Sequence, residues 1–314
     1  MNVLMYHFVN STLDSKLFSG MHGISVEDFE AQLSLLIKNG TPLSEKDIRL
    51  AALSGNYPND ECFYLTFDDG FKQHFNNVYP ILKDYGLQAS FFVPTMALES
   101  KKTPIVEKQR LLQYNLFINY EEFLGIFCKL IRSVYKSKDK SFLYPNFENI
   151  SNSQNYLKEY TFYSNEERYF RMIRNEYLTT KEFESIINNM FSKFYSNDKQ
   201  FIDEYYMSIS DLKKMNSNGM LIGGHSYSHP FLNKMPFEEI KKEVDKSMIF
   251  LRNKVDSEIN SFAYPFGAFN DNVVECMKQS EIDYAFDTRT EGESSRYNIR
   301  RNDAASFLQA NKIK

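Results

Sequence analysis

"YLTFDDGF", Tyr64 to Phe71, is the stretch on which the reading of this chain turns. Tyr64, Leu65 and Phe67 suit a buried strand, yet Asp68 and Asp69 follow without a break and Gly70 comes next. Two carboxylates side by side repel, and burial disfavours their ionised form, so both remain ionised only where a cation compensates. Gly70 lets the backbone turn sharply after the pair, which aims both side chains away from the strand end.

Outward from that strand the chain alternates. "NVLMYHFV" (2–9) reads as a short strand near the start. "SVEDFEAQLSLLIKNG" (25–40) reads as a helix, with a Ser N-cap, acidic residues in its first turn, helical apolar spacing and a closing glycine. "CFYLTF" (62–67) is a strand, "FNNVYPILKDYG" (75–86) a helix and "QASFFVP" (88–94) a strand. This order predicts an α/β fold with parallel strands. The alternation stops between residues 99 and 201. There "YEEFLGIFCKLIRSVYK" (120–136) and "TTKEFESIINNMFSKFY" (179–195) have helical periodicity, around a polar middle at 137–155 expected to be mobile. It resumes with a Ser-capped helix at 208–219, the strand "MLIGG" (220–224), a long helix at 237–255, "INSFAYPFG" (259–267), a helix at 270–280, and last strands in "IDYAFDT" and "YNIRRND". The expected organisation is one discontinuous α/β domain, 1–98 and 202–314, interrupted by a mainly helical insertion at 99–201.

With 37 basic and 41 acidic residues the net charge is −4, which leaves no electrostatic footprint for nucleic acid or an anionic membrane. No apolar run approaches the ~18 residues of a membrane span. The opening "MNVLMYHFVN" lacks the basic-then-apolar layout of a signal peptide, so a soluble, cytoplasmic protein is expected. Cys62, Cys128 and Cys276 lie far apart and are odd in number, which predicts buried reduced thiols and no disulfide framework.

Two of the five histidines, His225 and His229, fall in "GGHSYSHP" (223–230). The glycines before them and Pro230 after them argue against a helix interior, so the pair is expected on a turn leaving "MLIGG". Alone, the pair fits turn packing as readily as ligation, and DDG alone fits a plain turn or helix cap. Both at strand ends of a parallel α/β fold, where such proteins build their sites, they are far more specific. Two neutral imidazoles and one carboxylate form a ligand set for Zn²⁺ or a similar ion with positions open for water. The remaining aspartate can take a proton from that water, whose pKa the metal lowers.

These residues resemble the NodB-homology polysaccharide deacetylases, carbohydrate esterase family four. "LTFDDGF" and "IGGHSYSHP" are similar to the first and second family motifs, and "FAYPFG" (262–267) to the third. "ASFFVPT" and "SISDLKKMNSNG" match the text around them. The resemblance covers most of both outer portions and leaves out the insertion. It implies a distorted (β/α) barrel of the polysaccharide deacetylase type, and metal-dependent removal of an N-acetyl or other small N-acyl group from an amino sugar. On it, Asp68 is the general base for a metal-bound water, while Asp69, His225 and His229 hold a divalent metal, expected to be Zn²⁺. Phe266 offers a backbone N–H to the oxyanion, with Tyr264, Pro265 and Gly267 as substrate-binding neighbours. Apart from the resemblance, "AYPFG" reads as an ordinary Pro/Gly turn.

Two departures from the family pattern stand out. Ala263 occupies the place where the third motif commonly has an arginine that orients the base. Arg300 or Arg301 in "YNIRRND" supplies that charge or lies on the surface, and Arg301 is the candidate. The late Leu-x-His motif, source of the general acid, is absent, since no histidine follows His229. The branch similar to poly-N-acetylglucosamine deacetylases has a permuted arrangement with an early Tyr-His, and "LMYH" matches it, making His7 the expected acid. His22 and His74 lack such a context, and His74 is expected on a helix surface.

The expected substrate is an N-acylated amino sugar, free, nucleotide-linked, lipid-linked or oligomeric, within cell-surface glycan biosynthesis. The insertion is a candidate lid or homo-oligomer surface. Against the enzyme stand a catalytically impaired carbohydrate-binding member of the same fold and a scaffold built on the helical block. Metal content measured together with acetate release separates them.

Overall fold

Val3, Leu4, Met5 and Tyr6 are all buried, so β1 (Asn2–Tyr6) is covered on both faces, as strands of a parallel α/β sheet are. The computed structural model describes the chain except residues 15–17, 19–20, 22, 118, 135–146, 159–162, 196–197, 257, 290–291 and 305–314. His22 and residues 137–146 of the polar stretch therefore lie outside the described residues. After β1 come β2 (Val9–Asn10), β3 (Ile24–Ser25), β4 (Thr41–Pro42), β5 (Cys62–Phe67), β6 (Ala89–Val93), β7 (Leu221–Gly224), β8 (Ser261–Ala263), β9 (Tyr284–Phe286) and β10 (Asn302–Asp303).

The main sheet runs β10-β1-β5-β6-β7-β8-β9, with β4 beside the start of β5, and its ladders are parallel. Residues 299–303 link its two ends: Ile299 bridges Phe286 of β9, and Asn302 and Asp303 pair with Leu4 and Met5 of β1. The result is a distorted (β/α) barrel surrounded by helices. Side chains alternate across each strand. Leu4, Leu65, Phe67, Phe91 and Phe262 join the large core under the helices, while Val3, Tyr64, Phe92, Ala263 and Phe286 form a second cluster.

Local chemistry sets the helix starts. Ser25 and Asn270 accept from the backbone N–H of Asp28 and Val273, and Ser208 forms a reciprocal capping box with Asp211. A helix at Glu45–Ser54, capped by Ser44 and Asp47, and the short β4 lie outside the sequence expectations. Cys62 is only partly buried, against the expectation, while Cys128 and Cys276 are buried.

The chain divides into two compact units. One comprises Met1–Phe18, His22–Pro104 and Phe201–Lys314; the other comprises Ile105–Gln200 with Met21. Helix Met96–Ser100 belongs with the barrel, because Thr95 and Met96 donate to the Ser226 and Tyr227 carbonyls. The second unit is helical and packs Phe123, Phe127, Ile131, Phe170, Ile187 and Met190 in its interior. Among the described residues no helix is long and apolar enough to cross a membrane.

Candidate active site

Asp68 lies one residue past β5, and its N–H still donates to the Tyr6 carbonyl at 3.0 Å. It therefore shares a face with Tyr64 and Thr66. Arg301, from the segment linking β9 to β1, meets it there as a two-pronged pair. Nη1 donates to Oδ1 at 2.7 Å and Nη2 to Oδ2 at 2.6 Å, with further bonds to Thr66 Oγ1 at 3.1 Å and the Asp287 carbonyl at 2.8 Å. Both residues are buried, at 1% and 2% exposure, and the guanidinium carbon lies 5.8 Å from the ring centroids of both Phe92 and Phe286. Burial alone would raise the Asp68 carboxyl, but the Arg301 charge, helped by His225, holds it below the usual aspartate value. Arg300, by contrast, is partly exposed.

Asp69 faces elsewhere because its backbone turns left-handed, at φ 73, and Gly70 follows at φ 66. A Cβ on Gly70 would lie 2.9 Å from Val93 Cγ1, so both conformation and space require glycine. Asp69 Oδ1 lies 3.0 Å from His229 Nε2 and 3.5 Å from His225 Nε2, and the two Nε2 atoms are 3.1 Å apart. His225 Nδ1–H donates to the Ala263 carbonyl at 2.7 Å, which leaves the lone pair on Nε2. The three ligand atoms lie within 4.8 Å of one another, and all three residues are buried. Two imidazole nitrogens and one carboxylate oxygen converging in this way fit a divalent cation.

The turn that presents the histidines is braced from outside the motif. Glu243 accepts from the N–H groups of Tyr227 and Ser228 at 3.1 and 2.8 Å and from Ser228 Oγ at 2.8 Å. Sequence reading missed Glu243, because nothing local marks one acid of a long charged helix as the brace. Ser226 and His229 adopt φ 61 and 62, strain that a braced turn can hold.

Phe266 sits at φ 59 with its ring 4.6 Å from that of His229 and stacked on Phe231 at 4.1 Å, so the third motif does adjoin the histidines. Tyr264, expected beside the substrate, is a core residue in its side chain. Its ring is buried in the core against Phe269, and its hydroxyl donates to the Tyr297 carbonyl at 3.0 Å. Pro265 is likewise buried, and Gly267 is packed so tightly that a Cβ would sit 2.1 Å from Thr288 Oγ1. His7, just beyond β1, is partly buried and close enough to Asp68 to favour its ionised form. His74 is a correction: it is fully buried, and its Nε2 meets the His7 carbonyl at 2.6 Å.

A parallel (β/α) barrel with an Asp–His–His ligand set and an arginine-held aspartate at its strand ends belongs to a known class of folds. The family model described as polysaccharide deacetylase matches residues 55–112 and 188–285, and the chain belongs to that family. It is 32% identical over 92 residues to YxkH of Bacillus subtilis (strain 168), itself named as a polysaccharide deacetylase; this spans 29% of this chain and 30% of the relative. The fold resembles the Streptococcus pyogenes deacetylase PplD, solved with acetate, at TM-score 0.57 and 16% identity over 98% of this chain and 96% of that one. IcaB from Ammonifex degensii is similar at TM-score 0.58 and 14% identity, over 98% and 94% of the two chains.

Proposed function

We propose that this protein is a divalent-metal-dependent hydrolase that removes an acetyl, or another small acyl group, from the nitrogen of an amino sugar. The observation carrying this reading is the division of labour at "DDG": Asp69 faces two imidazoles, while Asp68, one residue earlier, is held ionised by Arg301. Asp69, His225 and His229 would hold the cation, with Zn²⁺ suiting two nitrogen donors and one oxygen donor. A cation held there supplies Lewis acidity, polarising the amide carbonyl and lowering the pKa of water.

The chain's own residues do the rest. Asp68 takes a proton from the water that attacks the amide carbonyl, and Arg301 keeps the carboxylate oriented and ionised. The Phe266 N–H donates to the carbonyl oxygen as negative charge develops on it. His7 hands a proton to the departing amine, so the amide C–N bond breaks to give a carboxylate and an amino sugar. The alternative of an impaired carbohydrate-binding member drew on the missing third-motif arginine and the missing late histidine; the Arg301–Asp68 pair speaks against the first ground, and the reading of His7 as the acid answers the second.

The substrate class we favour is a lipid-linked or nucleotide-linked amino-sugar intermediate of cell-surface glycan assembly. The test is acetate release from N-acetylated amino sugars in free, nucleotide-linked, lipid-linked and oligomeric form, before and after chelation. Activity should vanish with the metal and return with Zn²⁺. A Zn²⁺-loaded protein that releases no acyl group from any of these would sink the enzyme reading.

A further inference from the structure

The sheet stops holding the first strand one residue before His7, since the last ladder bond runs from Asp68 N–H to the Tyr6 carbonyl. Beyond that point, three side chains from the turn after "DDG" take over. His74 Nε2 meets the His7 carbonyl at 2.6 Å, Asn77 Nδ2 donates to the Val9 carbonyl at 2.8 Å, and Gln73 Nε2 donates to Asn10 Oδ1 at 3.0 Å. Asp14 closes the loop by accepting from Ser11 N–H at 2.7 Å, from Asn77 Nδ2 at 3.0 Å and from Gln73 Nε2. The turn over His74–Val78 is π-helical, a wide form that recurs at functional sites.

His74 is an odd choice for packing alone. Its ring is fully buried, with the rings of Phe67, Phe71 and Phe91 at 5.5, 5.6 and 5.9 Å. Burial pushes it down to about 4, so the ring is neutral and donates one N–H, which the carbonyl places on Nε2. Nδ1 is buried with no hydrogen-bond partner among the described residues. A leucine or phenylalanine would fill this box without that penalty. What the histidine adds is one donor, aimed at the His7 peptide.

We propose that His74 is a positioning residue for His7, fixing the His7 peptide and so directing the His7 imidazole toward the leaving amine. This rests on the reading of His7 as the acid. His74→Met keeps volume and removes the donor, while His74→Gln keeps an N–H donor. In the metal-loaded full chain, His74→Met should lower kcat by about 10- to 100-fold with KM and metal content unchanged. His74→Gln should recover most of that loss. The pair His7→Ala/His74→Met should be no slower than His7→Ala alone, because one residue acts through the other. Wild-type kcat in His74→Met, or losses that multiply in the pair, would overturn the proposal. Wild-type kcat in His7→Ala would instead overturn the reading of His7 itself, and the proposal with it. Should His74→Met not fold, Asn77→Ala removes the adjacent donor and must show the same split between kcat and KM, and the same lack of additivity with His7→Ala. A change in KM alone would overturn the proposal.

Discussion

The barrel mouth and the helical unit both bury charge, and they do it in opposite ways. In the helical unit the charges close on neighbours. Glu107 accepts from Arg110 at 2.6 Å, Glu167 accepts from Arg171 at 2.8 Å and from the Tyr114 hydroxyl at 3.1 Å, and Lys108 meets Asp198 at 2.9 Å. At the barrel mouth Asp68 is closed off in the same manner by Arg301, but Asp69 and the two imidazoles turn their ligand atoms on one another. Nitrogen lone pairs and a carboxylate within hydrogen-bond range repel unless a proton or a cation sits between them. A buried polar set whose members satisfy one another is architecture, whereas a set that converges on one point is shaped to take a proton or a cation.

The strongest way to break this contrast is to remove a converging ligand. His225→Ala or Asp69→Ala should lose both the metal and detectable turnover, read by elemental analysis and acyl release. Asp68→Asn, one residue away, should keep the metal and lose about 10²- to 10⁴-fold in kcat, the usual worth of a general base. Undiminished metal content in His225→Ala would mean that the convergence is only packing.

Arg301→Met probes the closed pair inside the open site. It leaves the buried Asp68 carboxylate without its counter-charge, a loss of about 3–5 kcal/mol by chemical denaturation. The sign of its pH effect follows from the native state. Burial raises the Asp68 carboxyl and Arg301 more than reverses this, so the carboxylate is ionised, and the stability it contributes present, above the unfolded value of about 3.9. Both are lost as pH falls through the lowered folded value. Without Arg301 the burial effect prevails, and the acid limb of kcat/KM should move to higher pH. An unmoved limb would show that another group sets it. Glu167→Gln makes the parallel cut in the helical unit: about 2–3 kcal/mol of stability should go, with metal content unchanged.

The candidate site was legible where its residues were local. Asp68, Asp69, His225 and His229 stood out because carboxylates and imidazoles at strand ends violate the pattern of a buried strand; strand–helix alternation announced the parallel α/β sheet, and its closing into a barrel was expected from the family resemblance alone. Partners supplied from a distance were not. Arg301 was the candidate over Arg300, but "YNIRRND" gives no physical ground for that choice; its place between β9 and β1 turns it inward. Glu243 and His74 act through contacts that span 15 and 67 positions, which no periodicity encodes. Nor does the motif text tell that the Tyr264 hydroxyl is spent on the Tyr297 carbonyl.

The smallest test asks whether the contrast reaches the helix leading into the histidine motif. Asp211 closes the capping box there, accepting from Ser208 N–H at 2.7 Å, while its own N–H donates to Ser208 Oγ at 3.2 Å. It also accepts from Lys72 Nζ at 2.6 Å, which ties this cap to the turn after "DDG". Burial raises its carboxyl, but the bonds from Lys72 and Ser208 outweigh that and hold it below the usual range. Asp211→Ala should cost about 1 kcal/mol, the ordinary worth of a helix cap, seen as a lower Tm at neutral pH with metal still bound. Because the folded carboxyl is depressed, its contribution is present above the unfolded value near 3.9 and fades as pH falls through the lower folded value. The Tm gap between variant and parent should therefore shrink in acid. A gap that holds constant into strong acid would mean that the carboxylate's charge contributes nothing, and that the substituted alanine fails only as a worse neighbour for Ser208.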